Sequence, residues 1–153
     1  MEHKVVNLEP MRIAGYNHQL TMEQINTNNP IPGFWADLGD EKFGKLMSIG
    51  SDCPGTYGVS LMHNENDMDY TIGVALPKVA DAPEGFHIIN VPAGEYLEIQ
   101  VSLANLMDAY SFAGKWMNEN NSAWATHSTS FEFYNNDFSQ TQSLRLYIPI
   151  MKK

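Results

Sequence analysis

The sequence has little cysteine, few basic residues and no long apolar run. One cysteine, Cys53, occurs in 153 residues, so no internal disulfide can form and a reducing cytoplasm is the expected compartment. Nine basic against eighteen acidic residues give a net charge of −9, which argues against direct binding to nucleic acid or to an anionic membrane. No apolar run approaches the roughly 20 residues needed to span a bilayer. Residues 1–6 also lack the apolar region of a secretion signal.

Motifs of metal binding and catalysis are missing as well. The five histidines are scattered without metal-ligand spacing, and a single cysteine adds little to a zinc site. Neither a nucleophile elbow nor a phosphate-binding glycine loop occurs. Cys53 precedes Pro54 in a predicted turn over residues 50–55 and has no recognisable activating neighbour. We therefore expect no metal, no cofactor and no catalytic residue, and a binding protein rather than an enzyme.

What the sequence does contain is one element order used twice. Residues 1–153 are the length of one domain, and 43% of them are apolar, as in a folded globular protein. Alternating and helical apolar patterns predict strand, strand, helix, strand, strand over residues 3–76 and again over residues 86–151. Residues 77–85, with two prolines and a glycine, read as the linker between the repeats.

The helices are predicted from capping and spacing. Residues Thr21 to Gln24 have capping-box spacing. Apolar spacing predicts the first long helix from Phe34, with a break at Gly39-Asp40, and the second after Ser102 as its N-cap. The predicted fold is α+β: duplicated modules that form an antiparallel sheet with two main helices and a ligand groove between the repeats.

The stretch from Thr129 to Asp137 carries the main candidate site residue. Successive strand side chains alternate between faces, so Phe131 and Phe133 share one face and Glu132 and Tyr134 share the other. If the two phenylalanines enter a core, Glu132 lies on the opposite face beside an aromatic ring. A carboxylate in that position is costly to dehydrate unless a cation or a hydrogen-bond donor meets it. The commoner role for a lone glutamate is on the wet face of an amphipathic strand, and both readings stay open at this point.

Several motifs in order give the chain a family resemblance over nearly its whole length. They are 8–15 (LEPMRIAG), 31–35 (IPGFW), 57–59 (YGV), 70–74 (YTIGV), 91–96 (VPAGEY), 131–134 (FEFY) and 146–150 (LYIPI). With them the chain resembles the gyrase-inhibitory-protein-like (GyrI-like) family, also described as the effector-binding domain of bacterial AraC-type regulators.

The resemblance implies a receptor for small molecules. In multidrug-binding members, the Glu of the Phe-Glu-x-Tyr motif is a buried carboxylate that meets cationic drugs among aromatic rings, and that role falls on Glu132 here. The family domain is often fused to a DNA-binding region used in transcription regulation. This chain begins directly with the domain, so we expect a stand-alone sensor or sequestering module.

Six aromatic residues are candidate ring partners of a cation near Glu132, although ordinary core packing is the alternative for each. They are Trp35, Tyr57, Tyr70, Trp116, Tyr134 and Tyr147. Trp124, in a polar connection, is predicted to be a lid or a surface residue.

Three functions are compatible with these residues. The first is binding of cationic or amphipathic small molecules. The second is a small-molecule hydrolase, in which Glu132 is the general base and Tyr134 or Tyr147 orients substrate or water. The third is inhibition of DNA gyrase through the acidic surface, which would make a protein the partner. A homodimer is also compatible with the sequence.

Overall fold

A computed structural model describes residues 1–49, 55–77, 81, 83–127 and 129–153. The predicted turn at residues 50–55 and Cys53 fall outside these ranges, apart from Gly55. The described residues form one antiparallel sheet of nine strands with helices on it. The strands are β1 His3–Leu8, β2 Met11–Thr21, β3 Gly55–Met62, β4 Asp67–Ala75, β5 His87–Val91, β6 Gly94–Ser102, β7 Ser122–Trp124, β8 Thr129–Asn135 and β9 Ser143–Lys152.

Four helices accompany the strands in the described ranges. They are α1 Met22–Asn28, α2 Ile31–Ile49, α3 Leu106–Glu119 and α4 Phe138–Thr141. The capping box at α1 is present, because the Thr21 hydroxyl accepts the Gln24 N–H and the Gln24 side chain accepts the Thr21 N–H. The predicted break is also present, since Gly39 has a φ of 59° inside α2.

Some local expectations were wrong. Helix α2 begins at Ile31 rather than Phe34, since Pro32 is tolerated in a first turn, where its missing N–H costs no hydrogen bond. Ser102 is not the cap of α3: a 3-10 turn, Leu103–Asn105, intervenes, and the Ser102 side chain makes no capping hydrogen bond. Strand β7 and helix α4 were not predicted, because three or four residues carry too little periodicity to reveal an element.

The strand order is symmetric about the centre of the sheet. It runs β1-β6-β9-β8-β3-β4-β2-β5, and β7 pairs with β9. Exchanging β1, β2, β3 and β4 with β5, β6, β8 and β9 reproduces this order in reverse, so β3 and β8 meet at the middle. The predicted fold class, a duplicated α+β module with an antiparallel sheet, is confirmed. The repeat boundaries at 3–76 and 86–151 stay a prediction, and the described part of the linker lies outside helices and strands.

Each face of the sheet has its own core. On the helical face, α1 and α2 pack on β2 and β4 around Tyr70 and Ile72, whereas α3 packs on β6 and β9 around Leu97 and Leu146. These two clusters flank β3 and β8 and leave the middle of that face open. On the other face, a third cluster, which includes Phe131, joins side chains from strands at both ends of the sheet. No helix within the described ranges is long and apolar enough to cross a membrane.

Candidate functional site

A cavity of about 1180 Å³ lies on the helical face, over the two central strands. Its floor comes from β3 and β8, because their register places Ser60 opposite Ser130 and Thr56 opposite Tyr134. One wall comes from α1 and α2 and the other from α3, so the cavity occupies the gap between the two helical clusters. The lining residues used below are Met22, Ile25, Trp35, Phe43, Met62, Glu65, Met68, Leu103, Met107, Tyr110, Trp124, Glu132, Tyr134 and Phe138.

Glu132 lies on the cavity floor because of strand alternation. Phe131 and Phe133 enter the core of the opposite face, with 3% and 5% of their surface exposed. Glu132 therefore faces the cavity, and it is itself only 7% exposed. Of the two arrangements left open by the sequence, the buried carboxylate is the one observed.

Three tyrosines donate hydrogen bonds to this carboxylate. The Tyr134 hydroxyl donates to Oε1 at 2.7 Å, and the Tyr70 hydroxyl donates to the same oxygen at 3.0 Å. The Tyr110 hydroxyl donates to Oε2 at 3.4 Å. The indole N–H of Trp35 donates in turn to the Tyr70 hydroxyl at 3.0 Å, which orients that hydroxyl toward Glu132. Oε1 is thus well occupied, whereas Oε2 has one long hydrogen bond and keeps acceptor capacity.

The environment shifts the acid–base behaviour of these groups. Burial raises the pKa of Glu132, and the hydrogen bonds from Tyr134, Tyr70 and Tyr110 oppose that rise only in part. Burial and the nearby Glu132 charge raise the pKa of Tyr70, Tyr110 and Tyr134 far enough that all three stay protonated donors. None of the basic residues in the described ranges forms an ion pair with Glu132. The carboxylate therefore has hydrogen-bond donors but no counter-ion there.

Gly58 makes room for this cluster. It is paired with Glu132 on one side and Ile72 on the other, in the middle of the sheet. A Cβ atom at this position would overlap the Tyr70 hydroxyl and lie 3.0 Å from Glu132 Oε1. The hydrogen bond between Tyr70 and Glu132 therefore depends on the missing side chain.

The mouth of the cavity is apolar. Seven large hydrophobic residues of the described chain are strongly exposed, and four of them line this cavity: Phe43, Leu103, Met107 and Trp124. Met107 is the most exposed, at 74%. An exposed apolar rim around a concave site is typical of a ligand- or partner-binding site, because the rest of a protein surface rarely exposes such a patch.

Three predicted ring partners lie around Glu132. Trp35 and Tyr134 line the cavity, with ring centroids 4.9 Å apart in an edge-on arrangement. Tyr70 is buried and donates a hydrogen bond from its hydroxyl to the Glu132 carboxylate. Trp124 also lines the mouth, at 40% exposed. That any of them contacts a ligand stays a prediction.

The other three predicted ring partners lie elsewhere. Tyr57 is paired with Phe133 and Tyr147 with Phe131, so both tyrosines face the opposite core; the Tyr147 ring stacks on Phe131 at 4.5 Å. Their distance from Glu132 follows from strand register, which a single sequence does not reveal. Trp116 lies on α3 and packs beside the core cluster around Leu97 and Leu146, with its ring 6.5 Å from that of His3.

Two aromatic residues of the site were missed. Tyr110 lies on α3, and its helical spacing from Leu106 indicates that the two share a face but not that this face lies over β8. Phe138, on the short helix α4, stacks on Tyr134 with ring centroids 4.9 Å apart. Only the packing of helices on the sheet brings these two rings to the site.

Several solved structures share the fold of this chain. SAV2435 bound to tetraphenylphosphonium is similar, with a TM-score of 0.81 and 16% identity over 99% of this chain and 94% of that one. The EcmrR C-terminal domain has a TM-score of 0.60 and 12% identity, covering 99% and 98%. The integron cassette protein VCH_CASS2 from Vibrio cholerae has a TM-score of 0.67 and 11% identity, covering 97% and 95%. At these identities the likeness shows the fold.

The family follows from the sequence itself. Residues 4–150 match the model of Cass2, the integron-associated effector binding protein, and the chain belongs to this family. The resemblance to effector-binding domains that the motifs indicated is thereby confirmed. No curated protein matches the chain in sequence.

Proposed function

We propose that this protein binds cationic, partly apolar small molecules in the central cavity, as a sensor or sequestering module of the bacterial cytoplasm. Glu132 is the counter-ion, and Trp35 and Tyr134 supply ring faces near it. The observation that carries the proposal is a carboxylate only 7% exposed, on the floor of a cavity, with no ion-pair partner in the described ranges.

The physics of this carboxylate favours a cation over other ligands. A buried anion without a counter-ion costs free energy that only a positive ligand can recover fully. Ring contacts add about 0.5–2 kcal/mol for each well-placed aromatic. Most of the remaining lining is apolar and includes Met22, Met62 and Met68, whose flexible side chains suit ligands of varied shape. The structural relative SAV2435, bound to tetraphenylphosphonium, supports the same ligand class.

Tetraphenylphosphonium and tetraphenylborate provide the direct test, because the two ions have nearly the same shape and opposite charge. We expect the phosphonium to bind at least about thirtyfold more tightly, since a buried charge contact is worth about 2–5 kcal/mol. Isothermal titration calorimetry on both ions measures the difference. Equal affinities, or tighter binding of the borate, would overturn the proposal.

Binding should also depend on pH through Glu132. Because burial raises its pKa, Glu132 becomes neutral at a higher pH than an ordinary glutamate, and the cation then loses its counter-ion. We expect the affinity for tetraphenylphosphonium, which does not titrate, to fall as pH is lowered through that raised pKa. The three tyrosines stay protonated throughout. The profile should be flat in Glu132→Gln, and an unchanged slope there would assign the titration to another group.

Two functions suggested by the sequence stay predictions. The hydrolase would use the same carboxylate as a general base, a role to which a raised pKa is suited. The gyrase inhibitor would use the acidic surface. Binding of a cation is preferred here because it matches a buried carboxylate that has no ion-pair partner in the described ranges, whereas a general base needs no cationic ligand and the gyrase inhibitor would not use Glu132.

A further inference from the structure

The cavity has a second carboxylate at its rim. Glu65 lies in the hairpin loop between β3 and β4 and is exposed to solvent at the lining of the cavity. It and Glu132 are the charged side chains among the described lining residues, which include no lysine, arginine or histidine. The cavity is therefore negative at two separate places and positive at none within the described chain.

Hydrogen bonds within the loop fix the backbone around Glu65, and none of them involves its carboxylate. The Asn64 side-chain oxygen accepts the N–H groups of Asn66 and Asp67, both at 2.8 Å. The Asn64 amide donates to Asp67 Oδ2 at 2.9 Å. These bonds fix the loop as an Asx-type turn. Among the described residues, Glu65 takes part in no hydrogen bond or ion pair, so its charge is available at the rim.

The two charges are far apart along the cavity. Glu132 is paired with Gly58, and β3 continues four residues further to its end at Met62, before the loop that carries Glu65. At about 3.3 Å per strand residue, that run alone spans roughly 13 Å. Ser60 and Ser130 line the floor next to Glu132, and Met62 and Met68 line it beyond them. The volume of about 1180 Å³ also exceeds the range of roughly 300–1000 Å³ usual for drug-sized ligands.

We propose that the preferred ligands are elongated dications, with one cationic group against Glu132, an apolar spacer along the methionine wall, and a second cationic group at Glu65. This inference rests on the proposed function and adds a length and a second charge to the ligand class. Glu65 is the specificity-determining residue for the second charge, and Glu132 remains the anchor for the first.

Decamethonium, two trimethylammonium groups joined by a decane chain, is the matching probe, and decyltrimethylammonium is its single-charge counterpart. Glu65→Gln should weaken decamethonium binding about threefold to fivefold, as expected for an exposed charge contact, and change decyltrimethylammonium binding less than about twofold. Hexamethonium, with a shorter spacer, should not respond to the substitution. Decamethonium should bind the wild type more tightly than decyltrimethylammonium does. Added salt should reduce this difference in affinity in the wild type and not in Glu65→Gln.

Glu84→Gln is the matched control, since it removes the same charge from an exposed position in the connection before β5, outside the cavity. If Glu65→Gln and Glu84→Gln affect decamethonium equally, or if both probes respond equally to Glu65→Gln, the second subsite is refuted. The proposed function would survive that result provided Glu132→Gln still weakens decyltrimethylammonium. If Glu132→Gln leaves both probes unchanged, the proposed function itself fails.

Discussion

Replacing Glu132 with glutamine is expected to weaken tetraphenylphosphonium binding about a hundredfold, because truncating one partner of a buried charge pair costs about 2–5 kcal/mol. Glutamine keeps the size of the side chain, and its carbonyl can still accept from Tyr134 and Tyr70. What disappears is the charge. Tetraphenylborate should therefore bind the variant more tightly than the wild type, since the repulsion is gone. Calorimetric titration of both ions against both proteins measures the effect. A loss shared equally by the two ions would indicate damage to shape rather than to charge.

The same substitution should leave the fold at least as stable at neutral pH. The pKa of Glu132 is raised in the folded protein, so the folded state holds a proton that the unfolded chain releases near its ordinary value of about 4.3. The contribution of Glu132 to the free energy of unfolding is therefore fully present below its unfolded-state pKa. It is lost as pH rises through the raised folded-state pKa. Glutamine carries no such dependence. Chemical denaturation across pH should show the wild type losing stability relative to Glu132→Gln as pH rises through this window.

Glu98→Gln is the informative control for charge removal. Glu98 is also a largely buried strand glutamate, but it lies on the opposite face and accepts from the Tyr147 hydroxyl at 2.6 Å. It is paired with Lys4 at 3.6 Å and lies 3.9 Å from Arg145. Its loss should lower stability and leave tetraphenylphosphonium affinity unchanged. Comparing the two variants distinguishes removal of a carboxylate that has cationic partners within the chain, Glu98, from removal of one that has none in the described ranges, Glu132.

Local patterns predicted the parts of the site that one segment determines. Alternation over residues 129–135 placed Glu132 opposite the two buried phenylalanines, and that arrangement depends only on strand geometry. The capping box at Thr21 and the break at Gly39 are likewise properties of a few adjacent residues. The repeated element order also predicted the sheet class, because each half alone would leave an apolar face uncovered.

Relations between segments could not be predicted in the same way. Tyr57 and Tyr147 were candidate ring partners along with Tyr134, and the pairing of their strands places them on the other face. Tyr110 and Glu132 are 22 residues apart, and their contact depends on how α3 lies over β8. A one-residue shift in register would reverse every side chain of a strand, so such contacts need the assembled sheet.

Gly58→Ala should disrupt the site from within the sheet. The new Cβ would overlap the Tyr70 hydroxyl and lie 2.9 Å from Tyr70 Cζ, so the ring must move and lose its bonds to Glu132 and Trp35. Overpacking of this kind costs about 1–3 kcal/mol of stability. We also expect about a tenfold loss of tetraphenylphosphonium affinity, since a hydrogen bond to a charged group contributes about 1.5–3 kcal/mol. Denaturation and calorimetric titration measure the two effects separately.

Gly44→Ala is the control for the added methyl group. Nothing lies within 4 Å of a Cβ at Gly44 in α2, and alanine is favoured over glycine in helices by up to about 1 kcal/mol, so this variant should be slightly stabilised and bind normally. Tyr70→Phe supplies the decisive comparison, because it removes the hydroxyl that the new methyl group would strike. Combined with Gly58→Ala, it should cost less than the sum of the two single changes. Additive losses would mean that Gly58 does not act through Tyr70, and the missing side chain would then have no part in presenting the carboxylate.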